Sequence, residues 1–353
     1  STQGYSSAAS DVYKRQDVIW NKALPVVNGA FSPDGGTTAN YTTNLNMCET
    51  SNKGFELALN TRNIITKNFT WSSSVTFNHN KEEITKLSGG DSDVLNNGDT
   101  GYALALGEAI NSYYHYKLDG VWQKGEETDA AVFGAAPGDL KINIPNLVKE
   151  ADGRFYKIDE ETGRAAVDAN GNVIYYTSDN KYTPSDADYQ ILGHNSPDWS
   201  LGFQNNFTWK DFDLSIFVYA RYGQMFAYDM LTSYDPKGIR NFPTYFNYWT
   251  ENNPSNDFPA ANANKGLEQY TGYYGLRYVD GSFIKIKNIT LGYSLPKSIL
   301  KSAGIEKCRF YATITNPFVF AKSHLLKDYD PEMNGSLKYP LTKQFVFGVN
   351  VTF

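Results

Sequence analysis

From Phe69 onward the chain alternates. Odd positions read Phe69, Trp71, Ser73, Val75 and Phe77, with Thr70, Ser72, Ser74, Thr76 and Asn78 between them. Side chains two residues apart share one face of a strand, so this spacing predicts a β-strand with one apolar and one hydroxylic face. The pattern returns at Trp199, Leu201, Phe203, Asn205, Phe207 and Trp209, and again at Phe345, Phe347, Val349, Val351 and Phe353. Fainter copies run over 55–63, 212–223, 283–295 and 308–320. No run approaches the roughly 20 apolar residues that a spanning helix requires. The expected fold class is all-β and antiparallel.

The make-up of the two faces selects between kinds of β protein. In a soluble sandwich the apolar face packs inward and mixes Val, Ile and Leu. Here it is aromatic at the strand ends, and the other face is Ser, Thr, Asn, Gln and Gly with few charges. That is the pattern of a transmembrane β-barrel whose greasy side meets lipid and whose polar side lines a lumen. A soluble β-sandwich of the carbohydrate-binding or adhesin kind is the alternative. Length supports the barrel: Lys343 to Phe353, tilted near 45° at about 3.3 Å per residue, covers roughly 23 Å of membrane normal.

Connection lengths set strand direction, because outer-membrane barrels keep short turns on the periplasmic side and long loops outside. Ile65 to Asn68 and the Lys210–Asp211 pair are short joins. The Pro-, Asn- and Tyr-rich 224–280 and the stretch 321–340 read as long outer loops, and 295–307 lies at the periplasmic level. The region 81–197 must then hold an even number of crossings, with Tyr113 to Trp122 one candidate and Asn172 to Thr177 a weaker one.

Composition narrows the function classes. In 353 residues there are 32 basic and 38 acidic side chains, a formal charge of −6, with 26 Tyr and 21 Phe. This argues against a disordered chain and against nucleic-acid binding through a basic face. Cys48 and Cys308 have neither disulfide-framework nor zinc spacing, and no metal or cofactor is expected. The His residues at 79, 115, 194 and 324 form no HExxH motif, and there is no G-x-S-x-G elbow or P-loop, so no enzyme is expected. The acidic loop with Asp152, Asp159, Asp168, Asn170 and Asn172 invites a calcium reading, but Gly171 falls at the wrong loop position and Asn170-Gly171 reads better as a hairpin turn. The chain begins without Met or a signal sequence and reads as a fragment. Residues 1–16 lack periodicity and read as a non-native or disordered leader, leaving 17–353 as barrel sequence.

Several motifs resemble SusC/RagA-type TonB-dependent outer-membrane transporters. They are Asn52 to Leu57; Gly120, Val121 and Trp122; Pro137, Gly138 and Asp139; Leu192 and Gly193 leading to Pro197, Trp199, Gly202, Asn205 and Phe207; the block Tyr278 to Pro296; Asn316, Pro317 and Phe318; and Tyr329, Asp330, Pro331 and Glu332. Their order and spacing cover 52–353. The resemblance implies a barrel of about twenty-two strands around an N-terminal plug, of which this chain would hold the C-terminal nine or ten without the plug. It also implies the outer membrane of a Gram-negative, Bacteroidetes-like bacterium, energy from the TonB complex through the missing N-terminal part, and a SusD-like lipoprotein lid. The cargo would be oligosaccharide or peptide; a siderophore or vitamin receptor of the TonB-dependent class is the alternative.

Within that reading, the lumen parity of 212–223 carries Asp213, Ser215, Phe217, Tyr219, Arg221 and Gly223. Phe217, Tyr219 and Arg221 are expected to contact substrate, since aromatic faces stack on sugars and Arg bonds hydroxyls. Tyr245, Tyr248, Trp249, Tyr270 and Tyr273 of the outer loop are the other expected contacts. The terminal Phe345, Phe347, Val349, Val351 and Phe353 resemble the signal read by the barrel-assembly machinery, which can capture an exposed edge by strand addition.

Overall fold

The computed structural model describes residues 5–9, 12–13, 17–25, 40–87, 94–97, 102–233, 244–301 and 304–353, and side chains from residue 49 onward except in 94–97 and at Glu268. Alternation becomes pairing. One antiparallel sheet begins with β1 (Tyr5–Ala9), β2 (Val12–Tyr13), β3 (Asp17–Pro25), β4 (Asn40–Ile65) and β5 (Phe69–Leu87). An insertion follows, with β6 (Val94–Asn97), β7 (Tyr102–Ala105), β8 (Ser112–His115), β9 (Lys117–Val121), the short helix α1 (Glu127–Val132), β10 (Leu140–Asn143), β11 (Leu147–Lys149), β12 (Phe155–Lys157) and β13 (Gln190–His194). The sheet resumes with β14 (Trp199–Trp209) and β15 (Phe212–Tyr222); a second insertion carries β16 (Met225–Ala227) and β17 (Tyr278–Asp280). It ends with β18 (Phe283–Ser294), the helix α2 (Lys297–Leu300), β19 (Lys307–Ala321) and β20 (Gln344–Thr352).

The strand order is β1-β4-β5-β14-β15-β18-β19-β20, with β2 and β3 also on β4. The first three strands are therefore pieces along one flank of β4, and this pairing reaches into the segment read from sequence as a leader. Among the described residues β20 pairs only with β19, so the sheet is open at that end.

β14 pairs with β5 over its whole length, from Trp199↔His79 to Trp209↔Phe69, so the described residues of the insertion after β5 add no strand between them. Tyr113 to Trp122, expected to cross, instead lies in β8 and β9, which join small sheets outside the main one. Asn172 to Thr177 makes only isolated bridges, Val167↔Val173 and Phe155↔Tyr176. Short alternating runs suit any small sheet, and these are too short to cross hydrocarbon. The turns after β4, β14 and β18 lie at one end, and the described residues of the insertions after β5, β15 and β19 lie at the other, as connection length predicted.

Register carries the faces across the sheet. Phe207 stands opposite Leu214, Leu214 opposite Leu291, Leu291 opposite Ala312, and Ala312 opposite Phe347. The other face runs Thr208, Asp213, Gly292, Tyr311, Gly348 in the same way. A slip of one residue anywhere would mix the two, so the pleat holds the register. The apolar face is bare: Phe320 is 60% exposed, Phe345 69% and Phe347 81%. A sandwich would bury these residues under a second sheet, and among the described residues none covers them. Asn205 and Ser73 sit on this face and satisfy each other, Asn205 Oδ1 accepting from Ser73 Oγ at 2.7 Å and Trp71 Nε1 at 3.0 Å. A polar group facing hydrocarbon needs such a partner.

The insertions pack together into a cap. Val121 and Leu140 of the first, Phe226, Phe246, Trp249, Phe258, Tyr270, Tyr273 and Val279 of the second, and Leu326 of the third form one buried cluster. β4 and β5 run past the level of Trp199 toward the same side, β5 by eight residues from His79 to Leu87, or about 26 Å. Ile84 on that arm is 1% exposed, packed with Leu104.

Candidate functional site

The polar face of β15, β18 and β19, with the cap above it, carries the chemistry. Asp213 and Arg309 form a two-pronged ion pair at the turn end, Nε to Oδ1 2.9 Å and Nη2 to Oδ2 2.6 Å. Glycines make room for such groups to lie flat. A Cβ on Gly292 would meet Arg309 Nη2 and Asp213 Oδ1 at 2.4 Å, and one on Gly348 would meet the Tyr311 ring at 2.3 Å. Thr290 and Thr313 share a hydroxyl bond of 2.9 Å in the row between. The wall is smooth and hydroxyl-rich.

At the cap end the charges become dense. Lys285 has no exposed side-chain surface and bonds Asp330 at 2.5 Å and Glu332 at 2.8 Å, while Lys287 reaches Glu332 at 2.6 Å. Asp330 caps a short turn by accepting from Glu332 N–H at 3.1 Å, with Pro331 as the first turn residue, so both carboxylates point at the wall. The latch joins two of the motifs noted in sequence, Lys285 and Lys287 from one and Asp330 and Glu332 from the other. Sequence reading missed it. Parity hid it: both lysines share the odd positions of the apolar Ile289 and Leu291, and only a bulge between Ile286 and Asn288 turns Lys285 to the polar face opposite Tyr219.

Burial raises the Glu332 carboxyl, but its bonds to Lys285 and Lys287 outweigh that and hold it below its ordinary 4.5. A carboxyl depressed in the folded state stabilises above its unfolded value, and the contribution is lost as pH falls through the folded value. Protease cleavage within 322–343 is therefore expected to stay slow at pH 5–8 and to rise below pH 4.5. Glu332→Gln should flatten that rise.

The cap is pinned by polar bridges between insertions. Asn195 Nδ2 donates to Tyr102 and Tyr113 hydroxyls at 3.1 Å each, and Asn334 Nδ2 donates to Asn195 Oδ1 at 2.7 Å. Asn256 Oδ1 accepts from Val121 N–H at 3.1 Å, and Lys265 pairs with Asp139 at 2.6 Å. Asp188 is fully buried and takes Lys157 and the Tyr182 hydroxyl; burial, and then Asp188 itself, push that phenol up to about 12. The acidic turns are self-contained: Asp168 accepts from the N–H groups of Asn170 and Asn172 at 2.9 Å, and Gly171 takes φ 83° in the hairpin expected there.

The expected substrate contacts separate into groups. Phe217, Tyr219 and Arg221 do lie together on the polar face, with Arg221 Nε donating to Tyr219 Oη at 2.7 Å. Tyr248 is exposed on the cap and Tyr245 half-buried. Trp249, Tyr270 and Tyr273 are buried at 8%, 4% and 2% exposure in the cap core, Trp249 Nε1 donating to Gln123 Oε1 at 2.9 Å. A cleft of about 850 Å³ opens beside the third insertion, lined by Tyr228, Met230, Val319, Leu326 and Leu341. The terminal Phe345, Phe347, Val349, Val351 and Phe353 are all exposed on the apolar side.

No family model matches the chain. It is 28% identical over 363 residues to TonB-dependent receptor P3 of Formosa agariphila, covering 96% of this chain and 31% of that protein. It is 27% identical over 354 residues to TonB-dependent receptor SusC of Bacteroides thetaiotaomicron, covering 96% and 29%. The solved RagAB peptide transporter matches with a TM-score of 0.67 at 22% identity, over 99% of this chain and 33% of that one, which shows a shared fold. The chain is a homologue of TonB-dependent receptors. The resemblance to the SusC/RagA type is borne out, and the chain spans about a third of the length of the curated relatives it matches.

Proposed function

We propose that this chain is the C-terminal barrel section of an outer-membrane, TonB-dependent importer of oligosaccharides or peptides. One observation carries the reading. A single sheet holds a bare apolar face continuous from Phe207 to Phe347 against a hydroxyl- and amide-lined face, and all its long insertions fold into a cap at one end. The first face suits lipid, the second an aqueous passage, and the cap an extracellular mouth. Cargo would pass along the wall bearing Phe217, Tyr219 and Arg221, after meeting the half-buried Tyr245 and the exposed Tyr248. Trp249, Tyr270 and Tyr273 would hold the mouth in shape. A SusD-like lipoprotein would sit over the cap, the TonB complex would act through the part preceding this section, and Phe345 to Phe353 would be read by the barrel-assembly machinery. The chemistry is binding and gated passage, with no covalent step.

The test is expression of the whole gene with its own export signal. The expected result is a heat-modifiable, detergent-extracted outer-membrane band that co-purifies with a lipoprotein. A product that stays in buffer without detergent would contradict the reading.

A further inference from the structure

The cations at the cap end of the wall are not evenly matched. Lys285 and Lys287 share Glu332, Lys285 also holds Asp330, and Lys322 pairs with Asp280 at 2.6 Å. Burial raises Asp280, but Lys322 and Ser282 outweigh it and hold the carboxyl low, so that acid is committed to its own pair. Arg221 is the cation left over: among the described residues its guanidinium meets no carboxylate, only the Tyr219 hydroxyl. That bond uses Nε and leaves the terminal nitrogens free. The Tyr219 ring lies between two cations, with Arg221 Cζ 5.4 Å and Lys287 Nζ 5.2 Å from its centroid. Phe283, beside Arg221 on β18, meets Tyr219 edge-on at 6.0 Å.

Resting on the importer reading, we propose that Arg221, fixed by Tyr219 and backed by Lys287, binds a carboxylate of the cargo on the lumen wall. The arrangement suits a carboxylate for three reasons. A half-buried guanidinium with a free edge is a planar donor fork matched to two carboxylate oxygens. Among the pairs named above, four cations share three carboxylates, and the next acid along the face, Asp198, is taken up by His194 at 3.4 Å. The half-buried Tyr219 ring, held edge-on by the buried Phe283, offers apolar surface to whatever bears the charge, a sugar ring or a peptide side chain. Free carboxylates reach such a wall from two sources, a uronic-acid oligosaccharide or a peptide with its C-terminus, and the chemistry at Arg221 is common to both.

The experiment uses the full-length transporter in detergent, with binding measured by calorimetry. One arm compares trigalacturonate with its methyl ester, the other a tripeptide with its amide. In at least one arm the acid is expected to bind more tightly than the neutral form, and Arg221→Gln to weaken the acid by about 10- to 100-fold and the neutral form much less, since its carbonyl accepts only an uncharged bond. Arg221→Lys keeps the charge but loses the fork, and should recover part of the affinity. Tyr219→Phe keeps the ring and releases the guanidinium, and should weaken the acid only. The arm that responds identifies the source. An acid bound no better than its neutral partner in both arms overturns the proposal, as does an Arg221→Gln variant that weakens both forms equally. Failure of the wild type to enter the outer membrane is a different result, which overturns the importer reading itself.

Discussion

Lys285→Met is expected to release residues 322–343 from the wall and to destabilise the folded protein by about 3–5 kcal/mol, the usual cost of removing one partner from a buried charge cluster. The reason is what stays behind. Asp330 and Glu332 have side chains only 13% and 18% exposed, and without Lys285 Asp330 loses the cation it is paired with while Glu332 keeps only Lys287. The methionine fills the space of the alkyl stem, so loss of packing is small and the effect is electrostatic. Adding Asp330→Asn to Lys285→Met should recover part of the loss, because the stranded charge disappears, and a double-mutant cycle should report strong coupling. The temperature at which the heat-modifiable band is lost gives the stability readout, and cleavage within 322–343 reports the release. Equal band stability in wild type and Lys285→Met would mean that the latch contributes nothing.

The second large effect separates the two faces of β20. Val349→Arg places a charge on the bare apolar side, opposite Phe310, where Val349 is 53% exposed. Near the bilayer midplane that costs about 2–4 kcal/mol, and assembly is expected to fail. Asn350→Arg, one residue on, places the same charge on the polar side opposite Arg309. It should be tolerated, with a modest penalty for the like charge. The fraction of protein in the outer membrane as a heat-modifiable band checks both, and equal tolerance of the two would sink the face assignment.

The sheet was legible in sequence because its physics is periodic. A strand between lipid and water must alternate, so 199–209 and 345–353 declare both their structure and their faces, and connection length then gives their direction. The cap was not legible for the complementary reason. An irregular loop has no period that tells which ring turns inward, so Trp249, Tyr270 and Tyr273 read as ligand contacts when they are packing residues in the cap core. Tyr113 to Trp122 misled in the same way, since a four- or five-residue alternation serves a small outer sheet as well as a crossing strand. The latch needed three-dimensional pairing: Lys285 and Glu332 are distant in the chain, and only the fold of the third insertion brings them together. Of the expected substrate contacts, Phe217, Tyr219 and Arg221 were placed on one face by parity alone, and the structure puts them there.

The face bearing Phe345, Phe347 and Val349 is expected to meet lipid. Nitroxide labels test it at single residues, using cysteines introduced one at a time along β20 in a background with Cys48 and Cys308 replaced by Ser, and the full-length protein in bilayers. Labels at 345, 347 and 349 are expected to collide with dissolved oxygen and to be shielded from a water-soluble nickel complex. Labels at 344 and 350 should show lower oxygen accessibility, giving a period of two along the strand. An oxygen profile without alternation, or one peaking at 344 and 350, would contradict the account.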